Sequence, residues 1–548
     1  MPYTEELHQV ERPELSVCEL QVAEPASQPR PSSRGSGVVA EVREALPGIL
    51  DDFGAMVEKR PEPVLFALLI LYIAVVAMNN QRPLWYDELI TNMPALVHTP
   101  MKWGLRALQH PFLSILLGKW CAAIFGAASW SLRLPATLGY LAASVCIYTL
   151  LRRLRTGNLF ALFAVLVFWS TSTFYYATEA RPYGIILGLA AGLLLAWHSA
   201  VTRERRLRPL AAIALCDLFL IYCHPLAVLA ILPIVFAEVA RYRVRRKTDW
   251  PLWICSGWPL LGIIPIFLIH PVHPAYSPLL NGRLGNGTIF YLDILQSVAP
   301  AVMIAALAAL LTRGAGAAES EPADPLRPAV NALLAGGLAI PFAVNAILAA
   351  TLTNPYYPRY SVAGALAVPM LAAVILARAS GRSKRAGVAA LLAALCFFLI
   401  GAIQQQQPEK WNAPPLAQSS LIASHKELPV VVASGLTFTE MGNREPAAFL
   451  SRTYYLQDAA AALRYADSGL FETGEFNEYF THLPASGTVT PYADFIHQHR
   501  KFLVYGTVDY WEDWLLRRLM AEGAQLVWLG QVRGTYKDVD LYEVTVAR

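Results

Sequence analysis

Two adjacent carboxylates stand just beyond the first long apolar run of the chain, where they could do proton or metal chemistry. Asp87 and Glu88 follow Trp85 and Tyr86, and the apolar run extends from Val64 to Met78. Tryptophan and tyrosine prefer the interface between lipid and water, so the pair is expected at headgroup depth. A carboxylate there could act as general base on an acceptor hydroxyl or help to hold a metal ion. The ordinary alternative is two solvated charges favoured by the dipole at a helix start.

A second group of ionisable residues lies in a very short polar break between two apolar runs. Glu179 and Arg181 stand there, followed by Tyr183. In so short a turn neither charge escapes easily to bulk water, which leaves two interpretations. The pair could form a salt bridge that stabilises the turn. Alternatively, Arg181 contacts an anionic headgroup while Glu179 positions an acceptor or a metal.

Arg359 and Tyr360 open a later apolar run from the same side. Snorkelling and anchoring in the aromatic belt are the ordinary explanations of an arginine at such a position. A guanidinium flanked by tyrosines also suits a lipid phosphate, because its paired N–H donors match phosphate oxygens. We therefore predict that Arg359 binds a phosphate.

Three weaker candidates complete the set. His110 begins a short helix, His224 stands at the junction of two short apolar runs, and Arg283 lies in a Gly/Asn-rich loop that could close over a ligand. An ordinary helix start explains His110 equally well, and a packed, hydrogen-bonded histidine explains His224. His270 and His273 could supply a metal ligand, but their spacing across a proline does not suit one helix face.

The elements that position these residues must be membrane helices. The 548-residue chain is 55% hydrophobic and 15% charged, with a mean hydropathy of +0.40, which is unlike an ordinary soluble protein. About eleven apolar runs approach the roughly 20 residues that cross about 30 Å of hydrocarbon. The predicted spans are residues 62–79, 131–151, 158–176, 182–201, 209–223, 225–241, 251–269, 293–312, 329–352, 360–378 and 386–403.

Clusters of basic residues orient these spans. Four clusters follow even-numbered spans, at Arg152–Arg155, Arg203–Arg206, Arg241–Lys247 and Arg382–Arg385. Under the positive-inside rule these loops are cytoplasmic, as is an N-terminal tail (1–60) that we predict to be disordered. An odd number of spans puts the C-terminus outside. Because the basic residues lie between spans, the net charge of +4 gives no reason to expect a nucleic acid partner.

The first outside loop is long and contains two helical patterns, Thr91–Leu108 and His110–Phe125. We predict that both helices lie along the membrane surface; a re-entrant or additional pair of spans is the alternative. The membrane domain is predicted to cover residues 61–405.

After residue 408 the composition changes to alternating strand-like and helical patterns. The strand-like runs are Leu428–Ala433, Lys501–Tyr505, Gln525–Leu529 and Asp540–Val546, and a helical pattern runs from Asp509 to Glu522. Such alternation predicts a small extracytoplasmic α/β domain over residues 406–548. The predicted fold class is therefore mainly α, a polytopic helical membrane domain with a small C-terminal α/β domain.

Six short segments, in this order, resemble the C-type (GT-C) membrane glycosyltransferases, specifically the protein O-mannosyltransferase and lipid A aminoarabinose transferase group. They are Leu84–Glu88, His110–Leu113, Ser131–Pro135, Glu179–Tyr183, Tyr222–His224 and Pro358–Tyr360. Each is unspecific alone, but the ordered set extends over roughly residues 60–380. The oligosaccharyltransferase Trp-Trp-Asp-Tyr-Gly signature and the repeated lumenal domain of the mannosyltransferases are not found.

The resemblance implies a GT-C fold and the inverting transfer of a hexosyl or pentosyl group from a polyprenyl-phosphate donor on the extracytoplasmic side. Asp87 would be the catalytic base, and Arg181 and Arg359 would lie near the donor phosphate. Glu88, the second predicted catalytic residue, would orient the acceptor or a metal together with Glu179. Some relatives bind a divalent metal near the first loop; no complete ligand set is matched here, so the metal stays unassigned. The expected location is the bacterial inner membrane, and the acceptor is a protein, lipid or glycan.

Two other classes of function remain open. A flippase or transporter of lipid-linked sugars would carry polar groups near the middle of its spans or break helices there. Apart from Asp217, Asn331 and Asn345, the predicted span interiors are nearly featureless, and the ionisable residues gather at the outer ends of the spans, which favours an enzyme. A membrane sensor that uses the exported domain is the third interpretation.

Overall fold

The computed structural model describes most of the chain. The described residues are 34–96, 111–262, 286–311, 325–351, 357–405, 414–467, 469, 471–472, 487–508, 513–534 and 538–546. Two predicted site residues, His110 and Arg283, lie outside these ranges, as do His270 and His273. The roles proposed for them stay predictions.

The polar N-terminal segment leads into a helix, α1 (Arg34–Lys59). The prediction of disorder up to residue 60 is wrong for this stretch, because the end of the helix makes tertiary contacts. Asp51 forms a bidentate pair with Arg385 at 2.9 and 2.6 Å, and Glu58 accepts a hydrogen bond from the backbone N–H of Asn158 at 2.9 Å. The Pro/Ser/Gly composition upstream of the helix does not reveal these partners.

Helices dominate the described residues between 62 and 405. The α-helices are α2 (Glu62–Asn79), α3 (Tyr86–Leu96), α4 (Phe112–Phe125), α5 (Ser129–Arg153), α6 (Asn158–Ser170), α7 (Tyr183–Thr202), α8 (Leu207–Cys223), α9 (Leu232–Arg245), α10 (Trp250–Gly257), α11 (Asn286–Leu311), α12 (Arg327–Thr351), α13 (Ala367–Ala379) and α14 (Lys384–Gln405). Short 3-10 helices cover Ser172–Thr178, Pro225–Ile231, Trp258–Gly262 and Pro358–Leu366.

Among the described residues, eight helical segments are long and apolar enough to cross a membrane, or nine if one bent pair counts as a single span. The predicted polytopic helical fold class is confirmed. Each of the eleven predicted runs contains described helix, but the fifth and the seventh runs are not among these spanning segments. Helix α8 has 17 residues, and α10 has eight before the 3-10 helix that follows. A hydropathy pattern does not show where such helices end.

The third predicted span is broken. Helix α6 and the 3-10 helix after it meet at 78° around Thr171. The Thr171 and Tyr140 hydroxyls both donate to the carbonyl of Phe168, at 2.7 and 2.9 Å, and Thr137 donates to that of Ala177 at 2.7 Å. Side chains thus satisfy carbonyls that the break releases, as a bent helix in lipid requires. The bend leads the chain into the Glu179–Arg181 turn.

Helices α5 and α7 cross with their backbones almost in contact. A Cβ atom added to Gly139 would lie 2.5 Å from the carbonyl oxygen of Gly184, and one on Gly188 would lie 2.5 Å from that of Gly139. Small residues permit such approach in membrane helices, where packing drives association. This crossing places the start of α7 against the start of α5, and both starts contribute to the site described below.

The two ends of the helix bundle differ in chemistry. At one end the basic loops meet polar partners: Arg153 donates to Ser199, and Asp249 pairs with Arg206 at 2.6 Å. At the other end lie the loops after α2, before α7 and between α8 and the helix that follows it. The isolated carboxylates and arginines of the sequence analysis gather there.

The described residues of the C-terminal domain form one six-stranded sheet. Its strands are β1 (Val430–Val432), β2 (Thr453–Gln457), β3 (Thr488–Pro491), β4 (Lys501–Tyr505), β5 (Gln525–Arg533) and β6 (Asp538–Thr545), in the order β3-β2-β1-β4-β6-β5. The first four are parallel, and β6 and β5 extend the sheet with antiparallel pairings. Its short helices are α15 (Ser420–Ala423), α16 (Gly435–Met441), α17 (Ala447–Leu450), α18 (Ala459–Ala466), α19 (Tyr492–Gln498) and α20 (Trp514–Ala521), with a 3-10 helix at Leu416–Gln418.

The predicted small α/β domain is confirmed, and its four predicted strands correspond to β1, β4, β5 and β6. Strands β2 and β3 were not predicted. The exposed β3 ends in Pro491, which suits the edge of a sheet but reads as a strand breaker in the sequence. The helix predicted over 509–522 begins at Trp514, after residues 509–512 that lie outside the description.

Candidate active site

The acidic pair lies in the first turn of helix α3, which begins at Tyr86, five residues before the predicted start at Thr91. The carboxylate of Glu88 accepts a hydrogen bond from the backbone N–H of Trp85 at 3.2 Å. An acidic residue three positions into a helix commonly reaches back in this way to cap the first turn. The cap fixes the direction in which the neighbouring Asp87 side chain leaves the helix.

Glu88 forms a fully buried ion pair with Arg133 of α5, and both side chains are 0% exposed. The Arg133 Nε and Nη2 atoms donate to the two carboxylate oxygens at 2.7 and 2.6 Å. The same carboxylate accepts from the backbone N–H of Ala180 at 2.6 Å. Glu88 thus ties together the first loop, α5 and the turn before α7, and these contacts favour a positioning role.

Arg133 completes this pair, and the sequence reasoning named it only as part of a resembling segment. Its remaining N–H groups donate to the carbonyls of Asn80, Arg82 and Pro83 at 2.9 to 3.2 Å. An arginine near the start of an apolar span, four residues into helix α5, was the available signal, since a charge at that depth needs a buried partner.

Asp87 lies between two arginines that are remote in sequence. Its Oδ2 atom is 2.5 Å from Nη1 of Arg181 and 3.4 Å from Nη1 of Arg359. The three side chains keep 20%, 13% and 25% of their surface exposed, so the cluster is shielded but still open to a ligand. The structure therefore brings the predicted base and both predicted phosphate-binding residues to one place.

Glu179 stands behind this cluster in a buried position. Its Oε1 atom lies 3.7 Å from Arg181, whereas Arg181 is 2.5 Å from Asp87. The salt bridge within the turn, one of the two interpretations of this segment, is therefore the longer of the two contacts. Its Oε2 atom has no hydrogen-bond partner among the described residues. Burial raises the pKa of Glu179 to about 7, against the opposing effect of Arg181.

Aromatic rings surround the arginines. The Arg181 guanidinium lies 5.0 Å from the centre of the Tyr183 ring, and that of Arg359 lies 5.8 Å from the Tyr360 ring. The His224 ring stacks on Tyr360 with 5.0 Å between centres. Tyr183, His224, Arg359 and Tyr360 line one cavity.

His224 is held as a neutral imidazole. Its Nδ1 atom accepts a hydrogen bond from the backbone N–H of Leu226 at 3.2 Å, which leaves the ring proton on Nε2. Burial lowers the pKa of His224 to about 4, and Arg181 and Arg359 lower it further in the same direction. The ring can therefore donate one hydrogen bond without adding charge.

The charge balance of the cluster favours an anion. Two guanidiniums face Asp87, and Glu179 is partly protonated near pH 7 because of its raised pKa. A phosphodiester that replaced Asp87 between the arginines would accept charge-assisted hydrogen bonds from both. Among the described residues no group of three or more His, Cys, Asp or Glu could hold a metal ion, and no step below depends on one.

A protein-family model matches part of the chain. Residues 109–273 match the family model of dolichyl-phosphate-mannose-protein mannosyltransferases. The match indicates a glycosyltransferase. The matched region contains Arg133, Glu179, Arg181 and His224 but ends before Arg359 and begins after Asp87.

Two solved structures of ArnT from Cupriavidus metallidurans are also similar to the chain. The one bound to undecaprenyl phosphate is 12% identical, with a TM-score of 0.47, and the alignment covers 87% of this chain and 98% of that one. The apo structure is 14% identical, with a TM-score of 0.49, over 88% of this chain and 98% of that one. No curated protein matches the sequence.

Proposed function

We propose that this protein transfers a sugar from a polyprenyl-phosphate donor to an acceptor hydroxyl on the extracytoplasmic side of the membrane. One observation carries the proposal: the Asp87 carboxylate contacts both Arg181 and Arg359 at the bundle end opposite the basic loops. A base and a phosphate-binding pair are thereby adjacent.

The leaving group of such a donor is a phosphate, and the two arginines are placed to stabilise its charge. Donors that are already oriented toward a developing charge lower a barrier without having to reorganise during the reaction. The cluster lies where membrane helices end, so a lipid-anchored phosphate could reach it while its chain stays in hydrocarbon. The matched family takes its name from a dolichyl-phosphate sugar, which is a donor of this class.

Asp87 is assigned as the base. When a donor phosphate binds the two arginines, their ion pairs with Asp87 weaken, and the Asp87 carboxylate can then accept the proton of an acceptor hydroxyl. The acceptor oxygen bonds to the anomeric carbon as the bond from that carbon to the phosphate oxygen breaks, with inversion. The phosphate leaves on its lipid. Glu88 holds the helix that carries Asp87, and Glu179 is placed to orient the acceptor.

The sidedness of the reaction follows from the charge pattern. The positive-inside rule puts the basic loops and the N-terminus in the cytoplasm, so the site and the C-terminal domain face outward. The proposed location is the inner membrane of a bacterium. A protein, a lipid or a glycan would each supply the hydroxyl that the mechanism needs.

A flippase of lipid-linked sugars is the competing proposal, and one buried group in a helix favours it. Asp217 of α8 is buried, and its Oδ2 atom has no hydrogen-bond partner among the described residues. The two proposals differ in chemistry, because an enzyme breaks the bond between sugar and phosphate whereas a flippase leaves it intact.

The test is transfer by the purified protein. A polyprenyl-phosphate sugar labelled in the sugar is incubated with the protein and an extract of membranes, and labelled products are separated from the donor. We expect label in a new product with the wild type and none with Asp87→Asn. Asp51→Asn, which alters an exposed aspartate–arginine pair outside the site, serves as the control and should transfer normally. Full activity of Asp87→Asn, or donor that only changes membrane leaflet, would overturn the proposal.

A further inference from the structure

Helix α3 is held on two faces by different parts of the protein. Glu88 and Asn92, one turn apart, face the membrane part; Asn92 donates to the carbonyl of Ala180 at 2.6 Å. Tyr86 and Ile90, also one turn apart, pack against a hydrophobic cluster of the C-terminal domain that includes Phe438 and Met441. Because successive residues of a helix are 100° apart, Asp87 lies between the two held faces.

A carboxylate of the C-terminal domain also reaches the first turn of this helix. The Oε1 atom of Glu440, on α16, accepts a hydrogen bond from the backbone N–H of Tyr86 at 3.0 Å. Glu440 is 3% exposed, and its other oxygen lies 3.9 Å from Arg444. The first N–H groups of a helix have no acceptor within the helix, and a negative charge there is favoured by the helix dipole.

The residue that precedes the helix cannot cap its first turn with a side chain. Trp85 has no side-chain oxygen, unlike the serine, threonine or aspartate that usually cap a helix. Glu88 satisfies the N–H of Trp85, and Glu440 satisfies that of Tyr86, the residue directly before Asp87. One cap is thus local and the other comes from a residue 354 positions along the chain.

From these contacts we infer that Glu440 is a positioning residue for the transfer reaction: the C-terminal domain fixes the first turn of helix α3 and thereby the direction of the Asp87 carboxylate. The inference rests on the proposed function, because the proposed function assigns Asp87 as the base. It gives the C-terminal domain a part in the reaction that does not require contact with substrate.

The magnitude follows from how sharply a transfer reaction depends on geometry. A displacement of about 1 Å at a reacting group can cost about 100-fold in rate. Glu440→Ala removes the cap without changing the chemical identity of Asp87 or of either arginine. We therefore expect kcat to fall about 10- to 100-fold, with the KM for donor within about twofold of the wild type, because the phosphate contacts are unchanged.

The matched variants separate positioning from loss of domain stability. Glu440→Gln keeps an acceptor oxygen and should restore kcat to within about fivefold of the wild type. Glu445→Ala is the control: Glu445 accepts from the backbone N–H groups of Leu416 and Ala417, all within the C-terminal domain. Glu445→Ala should keep kcat within about twofold of the wild type. If Glu440→Ala does not fold, Glu440→Asp, which withdraws the carboxylate by one methylene, takes its place with an expected loss of about tenfold.

Hydrogen exchange gives a readout that a purely structural role would not move. In full-length protein, amides in the peptide spanning residues 84–92 should exchange faster in Glu440→Ala than in the wild type or in Glu445→Ala. The inference is overturned if Glu440→Ala keeps full kcat, or if kcat falls while exchange in this peptide is unchanged. If the wild type transfers no sugar at all, the proposed function fails instead, so the two failures are distinguishable.

Discussion

The buried Glu88–Arg133 pair permits a stability prediction in which burial alone decides the size of the effect. Arg133→Met removes a guanidinium that donates five hydrogen bonds, two of them to Glu88. Both side chains are 0% exposed, so the Glu88 carboxylate would be left in the interior without its counter-ion. Breaking a buried pair from one side costs about 3–5 kcal/mol, and we expect a loss in this range.

The assay is unfolding of the purified protein by SDS in mixed micelles, followed by the fluorescence of its 13 tryptophans. Arg133→Met, Glu88→Gln and the double variant form a cycle. The double variant should lose less stability than the sum of the losses of the two single variants, by about 2 kcal/mol or more, because it leaves no unpaired charge. The exposed Asp51–Arg385 pair is the control.

Each control side chain is 46% exposed, and Arg385→Met should give no resolvable change despite its bidentate geometry. Equal stability of Arg133→Met and the wild type, or strictly additive losses in the cycle, would refute the reasoning. Either result would mean that the carboxylate finds water or another partner at no cost.

Three further outcomes are expected. Arg359→Lys and Arg181→Lys should each weaken the binding of polyprenyl phosphate about 10- to 100-fold in a titration. Lysine lacks the paired N–H groups of arginine, and hydrogen bonds to a charged group are worth about 1.5–3 kcal/mol. Unchanged affinity in both variants would contradict a phosphate site. Gly139→Ala should destabilise the protein by about 1–3 kcal/mol, since its Cβ would meet a backbone carbonyl at 2.5 Å, whereas Gly192→Ala, with its nearest neighbour at 3.6 Å, should be tolerated. The pKa of the Glu179 carboxyl is raised from 4.5 to about 7, so the folded state binds the carboxyl proton more tightly than the unfolded chain does. The free energy of unfolding should therefore fall as pH rises from 4.5 to about 7. Glu179→Gln should lack this decline in the same unfolding assay.

The membrane part of the fold could be predicted because its signals are local. Apolar runs of about 20 residues and basic clusters at alternate ends both follow from the cost of placing polar groups in lipid. Breaks within helices carry no such signal. The 78° bend at Thr171 depends on hydroxyls of α5 that satisfy freed carbonyls, and these hydroxyls lie 28 and 40 residues away in sequence from the carbonyls.

The candidate site could be predicted in part for the same reason. The position of ionisable residues at the ends of apolar runs opposite the basic clusters identified Asp87, Glu179, Arg181 and Arg359 without any knowledge of the helix packing. What the sequence does not reveal is which charges pair with one another. Glu88 is next to Asp87 in sequence, yet their side chains leave the helix in different directions. Glu88 is buried against Arg133, whereas Asp87 stays partly exposed between Arg181 and Arg359, and the sequence does not show these partners.

Arg133 and Glu440 show the limits of such reasoning most clearly. Arg133 lies inside an apolar span. It belongs to one of the segments that resemble the glycosyltransferase family, but the resemblance implied no role for it. Glu440 lies in a different domain, on a short helix with no unusual sequence feature. Its contact with Tyr86 depends on how the C-terminal domain packs on helix α3, which no local pattern reports.

The most direct test of one shared phosphate site is a structure of the protein with polyprenyl phosphate bound. The account predicts the phosphate between the guanidiniums of Arg181 and Arg359, within hydrogen-bond distance of both, with Asp87 released and facing an open acceptor position. A phosphate bound elsewhere, for example among the basic loops beside Arg206 and Arg241, with Asp87 still paired to both arginines, would contradict it.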